Sequence, residues 1–101
     1  MAQQYDRIVK ENIQQLVVEL LAITASLEVS AFEVVFPEFT KTLERTPDFV
    51  MKAHNVATGR DEIIHLEFQT TNDGKMAGRM LLYYWLLYDL YQLPVRQFVV
   101  Y

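Results

Sequence analysis

The run Asp48-Phe49-Val50-Met51-Lys52-Ala53-His54-Asn55-Val56, then Ala57-Thr58-Gly59-Arg60-Asp61, then Glu62-Ile63-Ile64-His65-Leu66-Glu67-Phe68-Gln69-Thr70, decides how the chain folds. Its first segment alternates loosely and is rich in β-prone residues. The middle segment has turn composition, and Gly59 can take a positive φ there. In the third, Ile63, Ile64, Leu66 and Phe68 interleave with His65, Glu67 and Gln69, which is the pattern of a strand. Residues 48–70 therefore read as a β-hairpin. A strand has a period of two, so His65, Glu67 and Gln69 point to one face, and Leu66 and Phe68 point to the other. Asp48 follows Pro47 at the entry of the first strand, where a hairpin can bring it beside Glu67.

Toward the N-terminus, Val9, Ile13, Leu16, Leu20, Ile23 and Leu27 recur every three or four positions, which predicts an amphipathic helix over about residues 4–27. Val29 to Phe39 reads as a helix extension or a strand that turns near Pro37, and Lys41 to Glu44 as an edge strand. After the hairpin, Asn72-Asp73-Gly74 leads into a helix over about residues 75–92. This helix is apolar nearly all round, through Met76, Met80, Leu81, Leu82, Tyr84, Trp85, Leu87, Tyr88 and Tyr91. Such a helix must be covered on two sides or form a subunit contact, and a homodimer through residues 75–92, using Trp85 or Tyr88, is expected. Pro94 ends the helix and Val95 to Tyr101 reads as a last strand. The order is αβββαβ, an α/β domain with one mixed sheet flanked by two helices.

The bulk composition agrees with one domain. A chain of 101 residues is too short for two cores, and with 51% apolar residues it can pack one. The absence of cysteine excludes disulfides, thiolate metal sites and cysteine nucleophiles, and fits a reducing cytoplasm. The polar start MAQQYDRIVKENIQQL has no secretory h-region, and no apolar stretch is long enough to span a membrane. The net charge of −4 counts against a generic DNA binder, which neutralises phosphates with a basic surface. It does not exclude a metal-dependent nuclease, which must gather carboxylates.

The chemistry sits at the hairpin. Two like charges on adjacent strands repel, and a divalent cation removes that cost. Carboxylate oxygens suit Mg²⁺ or Mn²⁺ rather than zinc. A plainer reading stands beside this one, because any half-exposed strand alternates acidic and apolar residues. On that reading His65 is a surface or core-edge histidine. His54, with no motif near it, reads as structural or solvated.

The string Arg45-Thr46-Pro47-Asp48-Phe49-Val50, the turn with Gly59, and Ile64-His65-Leu66-Glu67-Phe68-Gln69 together resemble the PD-(D/E)XK nuclease signature. More narrowly, they look like its recombination-promoting nuclease and transposase-like branch, whose strand carries HxExQ with Gln in place of the usual Lys. Asp6 to Glu11 resembles the opening of that branch's first helix. Met76, Arg79, Met80 and Tyr83 resemble its MxxRMxxY helix, and Pro94-Val95 resembles the entry to its last core strand. The resemblance covers nearly the whole chain except residues 28–44. It implies a restriction-endonuclease-like αβββαβ core, shortened after the last strand because family members run further than Tyr101.

The activity it implies is Mg²⁺-dependent hydrolysis of DNA phosphodiesters, with Mn²⁺ as a substitute metal, in the service of a mobile element or recombination. Asp48 and Glu67 would hold the metal, helped by the Phe68 carbonyl. Gln69 would orient water or contact phosphate without bringing a charge. Glu11 would be the acidic residue lent by the first helix, and Arg79 would contact phosphate. The competing readings are a degenerate, non-catalytic nuclease fold that serves as a binding or dimerisation module, and an unrelated α/β domain with a chance motif. On the plainer reading Glu11 is a solvated helix residue, and Arg79 is an ion-pair partner of Asp48 or Glu67 in the metal-free protein.

Overall fold

The computed structural model describes the backbone of residues 2–39, 46–69 and 74–101, and the side chains within those spans from Arg7 onward. The elements are α1 (Ala2–Thr24), β1 (Val29–Val34), β2 (Phe49–Asn55), β3 (Arg60–Phe68), α2 (Met76–Tyr91) and β4 (Val95–Val100). The order is αβββαβ, as expected, and the first strand is the segment that read as either helix extension or strand. The edge strand expected over Lys41 to Glu44 lies outside the described residues.

The four strands form one sheet in the order β1-β2-β3-β4. β1 with β2 and β2 with β3 are antiparallel, while β3 and β4 are parallel with α2 as the crossover, so the sheet is mixed. The hairpin register sets Phe49 against Leu66, Val50 against His65 and Asn55 against Arg60. At its turn Asn55 Oδ1 accepts the amides of Ala57 and Thr58 at 2.9 and 3.3 Å, and Gly59 takes φ +70°, a conformation that costs glycine nothing.

Alternation along β2 and β3 feeds two cores. Phe49, Met51, Ala53, Ile64 and Leu66 join Val17 and Leu21 of α1 on one face. Val50 and Ile63 join Tyr83 and Leu87 of α2 on the other. The sheet is thus sandwiched between the helices, and β3 is buried on both sides from Glu62 to Glu67. Leu87 is fully buried, so Leu87→Ala would cost about 2–5 kcal/mol.

The face that α1 buries differs from the stripe expected. Leu16, Leu20 and Ile23 are half or more exposed, whereas Val17 and Leu21 are buried. The helix carries Leu16-Val17-Val18 and Leu20-Leu21 as consecutive apolar runs, so two stripes were available. Polar anchors select between them. Gln14 Oε1 accepts the Val34 amide at 3.1 Å, and Lys10 Nζ donates to the Pro47 carbonyl at 3.4 Å. Positions 10, 14, 17 and 21 form one face of a helix, and that face meets the sheet. α1 also ends earlier than expected, at Thr24. Ser26 takes a left-handed φ of 52°, and the chain turns back so that the Leu27 amide reaches the Leu21 carbonyl at 3.1 Å and the Leu27 side chain is buried.

α2 buries the stripe Met76, Tyr83 and Leu87 and leaves Leu81, Trp85, Tyr88 and Leu90 exposed. One side of the apolar helix is therefore covered within the chain. Gln92, left-handed at φ 55°, caps it before Pro94. Among the described residues, no helix is long and apolar enough to cross a membrane.

Candidate active site

β3 runs out of the core with His65 and Glu67 on the α2 face, and neither side chain has any solvent exposure. Continued by one residue, the hairpin register sets Asp48 opposite Glu67. The two acidic residues hold each other's strand ends. The Asp48 amide donates to Glu67 Oε2 at 2.7 Å, and the Phe68 amide donates to Asp48 Oδ2 at 2.9 Å. Each carboxylate thus accepts a backbone N–H, the kind of donor that stabilises a negative charge without cancelling it. Asp48 is half-buried, so the pair opens toward solvent on that side.

α2 lies over this pair, and all four residues of its MxxRMxxY pattern take part. Arg79 Nε stands 3.7 Å from Glu67 Oε1, an ion-pair distance longer than a hydrogen bond. Arg79 Nη2 reaches Met76 Sδ at 3.4 Å. The Met80 carbonyl accepts from Gln97 Nε2 at 2.7 Å. The Tyr83 ring meets the His65 imidazole edge-on, with centroids 5.3 Å apart and planes at 83°. His65 Nε2 in turn lies 2.9 Å from Glu67 Oε2. His65 is therefore neither a surface nor a core-edge histidine but a fully buried neighbour of the carboxylate.

The expected site residues are only partly gathered. Asp48, Glu67 and Arg79 converge. Gln69 is half-buried just past the end of β3, its amide donating to the Val100 carbonyl at 2.8 Å, so pairing with β4 extends to it. Glu11 is exposed on α1, and the residue that α1 does bring to this end is its neighbour Lys10, at Pro47. Two contributors escaped the sequence reading. His65 could have been found from its place two residues before Glu67. Gln97 follows Arg96 in β4, and these two polar residues interrupt a strand whose other members are apolar, which was the available signal.

Asp48 and Glu67 are the residues able to hold a hard cation here. Among the described residues no group of three or more His, Asp or Glu side chains is arranged for a metal. Two carboxylates with water completing the shell are nonetheless a donor set that Mg²⁺ uses, since it dehydrates reluctantly and often binds through one or two carboxylates. A cation arriving there would meet Arg79, whose guanidinium already stands beside Glu67.

At the other end of β3 a second buried acid has a different setting. Glu62 accepts from Arg96 Nε at 3.0 Å and from Asn55 Nδ2 at 2.9 Å. The Arg96 hydrogen bond is the largest cause holding the Glu62 carboxyl below its usual range, with Asn55 adding to it against the opposing effect of burial. Nearby, His54 and Asp61 form an exposed pair at 2.9 Å. Comparison of the chain with protein-family profiles, with curated proteins and with solved structures found no match.

Proposed function

We propose that the chain is a metal-dependent DNA endonuclease of PD-(D/E)XK type, with a restriction-endonuclease-like core and its site at the open end of the β2–β3 hairpin. The observation that carries this reading is the reciprocal pair of Asp48 and Glu67, held by each other's strand ends under Arg79. Asp48 and Glu67 would hold Mg²⁺. The bound cation would polarise the scissile phosphate and lower the pKa of a coordinated water. Arg79 leaves Glu67 to meet the phosphate, and Gln69 orients water or phosphate by hydrogen bonds. With Gln rather than Lys at position 69 and a net charge of −4, DNA affinity should be modest and strongly salt-dependent. A second copy covering the outer face of α2, where Trp85 is 61% exposed, would pair two such sites on the antiparallel strands of a duplex.

The degenerate-module reading is favoured by one observation, the guanidinium beside Glu67, which supplies a positive charge from within the chain. Supercoiled plasmid incubated with the chain and Mg²⁺ or Mn²⁺ separates the two. Nicking that stops with a chelator and with Glu67→Ala is expected. Intact plasmid with both metals, or nicking by Glu67→Ala equal to the wild type, would overturn the nuclease reading.

A further inference from the structure

We infer that Gln97 is a positioning residue that sets the tautomer of His65 and, through it, the direction in which Glu67 presents its carboxylate; the link to a metal rests on the reading above. Gln97 on β4 is the direct Cα partner of His65 in the parallel pair. Its side-chain nitrogen lies 2.7 Å from the Met80 carbonyl and 3.1 Å from His65 Nδ1. A carbonyl oxygen only accepts, so the group facing Met80 must be the NH₂ end of the amide. That fixes the amide's orientation, which the electron-rich and electron-poor ends of Gln otherwise leave open. The second hydrogen of the same NH₂ is then the one available to Nδ1, which must accept it. A neutral imidazole whose Nδ1 accepts carries its hydrogen on Nε2.

Nε2–H is thereby the donor to Glu67 Oε2 across 2.9 Å. The same Oε2 receives the Asp48 amide at 2.7 Å. Two donors from the protein hold one oxygen of Glu67 and turn the other, Oε1, toward the cationic side, where Arg79 Nε stands at 3.7 Å. Tyr83, edge-on to the imidazole, keeps the ring plane that this chain of bonds needs. The opposite tautomer would face N–H₂ with N–H at Gln97 and a bare nitrogen with a carboxylate at Glu67, both repulsive. The chain Met80 carbonyl–Gln97–His65–Glu67 is the kind of outer arrangement that orients a ligating carboxylate.

Long-range ¹H–¹⁵N correlation on the metal-free, ¹⁵N-labelled chain reads the tautomer directly. There are two histidines, so the spectrum of His54→Gln assigns His65. The expected pattern is a bare Nδ1 and a protonated Nε2 in the wild type, lost or mixed in Gln97→Leu, which keeps the bulk and removes the donor. Mn²⁺ affinity, measured on the same two proteins, is expected to fall about 10- to 100-fold in Gln97→Leu, the usual loss when an outer partner of a ligand is removed. A hydrogen on Nδ1 in the wild type would overturn the inference without any variant. Unchanged tautomer and unchanged Mn²⁺ affinity in a folded Gln97→Leu would also overturn it. A wild type that binds no Mn²⁺ but carries the Nε2–H ring would overturn the metal reading and uphold the hydrogen-bond chain.

Discussion

Glu62 and Glu67 lie five residues apart on one strand, both buried, on opposite faces of the sheet and at opposite ends of the hairpin. Glu62 is bound by a guanidinium and an amide at hydrogen-bond distance. Its carboxyl is held below the usual range mainly by Arg96. Glu67 is met by a backbone amide and an imidazole, and its guanidinium stands off at 3.7 Å. A buried carboxylate whose cation is hydrogen-bonded in place is part of the fold. One oriented by a backbone amide and an imidazole, with a guanidinium at 3.7 Å, is placed to exchange that cation for another. The physical difference lies in which donors the carboxylate has, since depth of burial is alike.

The largest expected contrast is in catalysis. Glu67→Ala should lower metal-dependent plasmid nicking about a hundredfold or more, a typical loss when a metal ligand or charge stabiliser goes. Glu62→Gln, at the other end, should leave nicking within a few-fold of the wild type. Equal losses in the two variants would collapse the distinction.

Next in size is the thermal response to metal. Binding to the folded site at about a hundred times Kd is worth about 2.7 kcal/mol, which for a domain of this size raises Tm by roughly 10–20 °C. Asp48→Asn should abolish the Mn²⁺-induced gain, while Glu62→Gln should keep it. Calorimetry with and without Mn²⁺ decides, and a gain shared by all three proteins would move the site elsewhere.

Acid sensitivity sharpens the comparison from the Glu62 side. Because folding lowers this carboxyl from its ordinary 4.5, the ionised pair stabilises the fold above that pH. The contribution fades as pH falls through the lowered folded value. Wild type should therefore exceed Glu62→Gln in Tm near neutral pH, and the two should converge in the acid range. Arg96 is 46% exposed, so solvent screening keeps this difference near about 1 kcal/mol or less. A gap that persists unchanged at low pH would mean that the charge of Glu62 does not matter.

The smallest effect on the single chain belongs to Trp85. It is exposed on the outer side of the helix that covers Glu67, so Trp85→Glu should change fold stability by about 0.5 kcal/mol or less. In light scattering across a dilution series, the same variant should shift a dimer toward monomer. A wild type that is monomeric throughout would remove the dimer.

Much of the frame was legible in order of residues. Period-two alternation placed the hairpin, Gly59 its turn and Pro94 the end of α2, because these signals are local. The stripe that α1 buries was not legible, since Lys10 and Gln14 count as polar in a periodicity yet dock on the Pro47 carbonyl and the Val34 amide. At the site, the Asp48–Glu67 juxtaposition followed from the hairpin alone. The period of two also put His65 on the face of Glu67, but its burial under Tyr83 and its contact with Gln97 were not legible, because those partners come from other elements.

What the sequence determined by itself is the hairpin with its flanking helices, and a turn that can bring Asp48 beside Glu67; it left Val29 to Phe39 open between a helix extension and a strand. The determined features follow from backbone periodicity and a short turn, which act within about twenty residues. Only the tertiary structure decided what surrounds Glu67. The parallel register of β4 brings Gln97 to His65 over 32 positions, and the crossover helix brings Arg79, Met80 and Tyr83 onto the same face. Contacts of that range depend on how separate elements dock, and no local pattern of apolar and polar residues encodes which two side chains will meet.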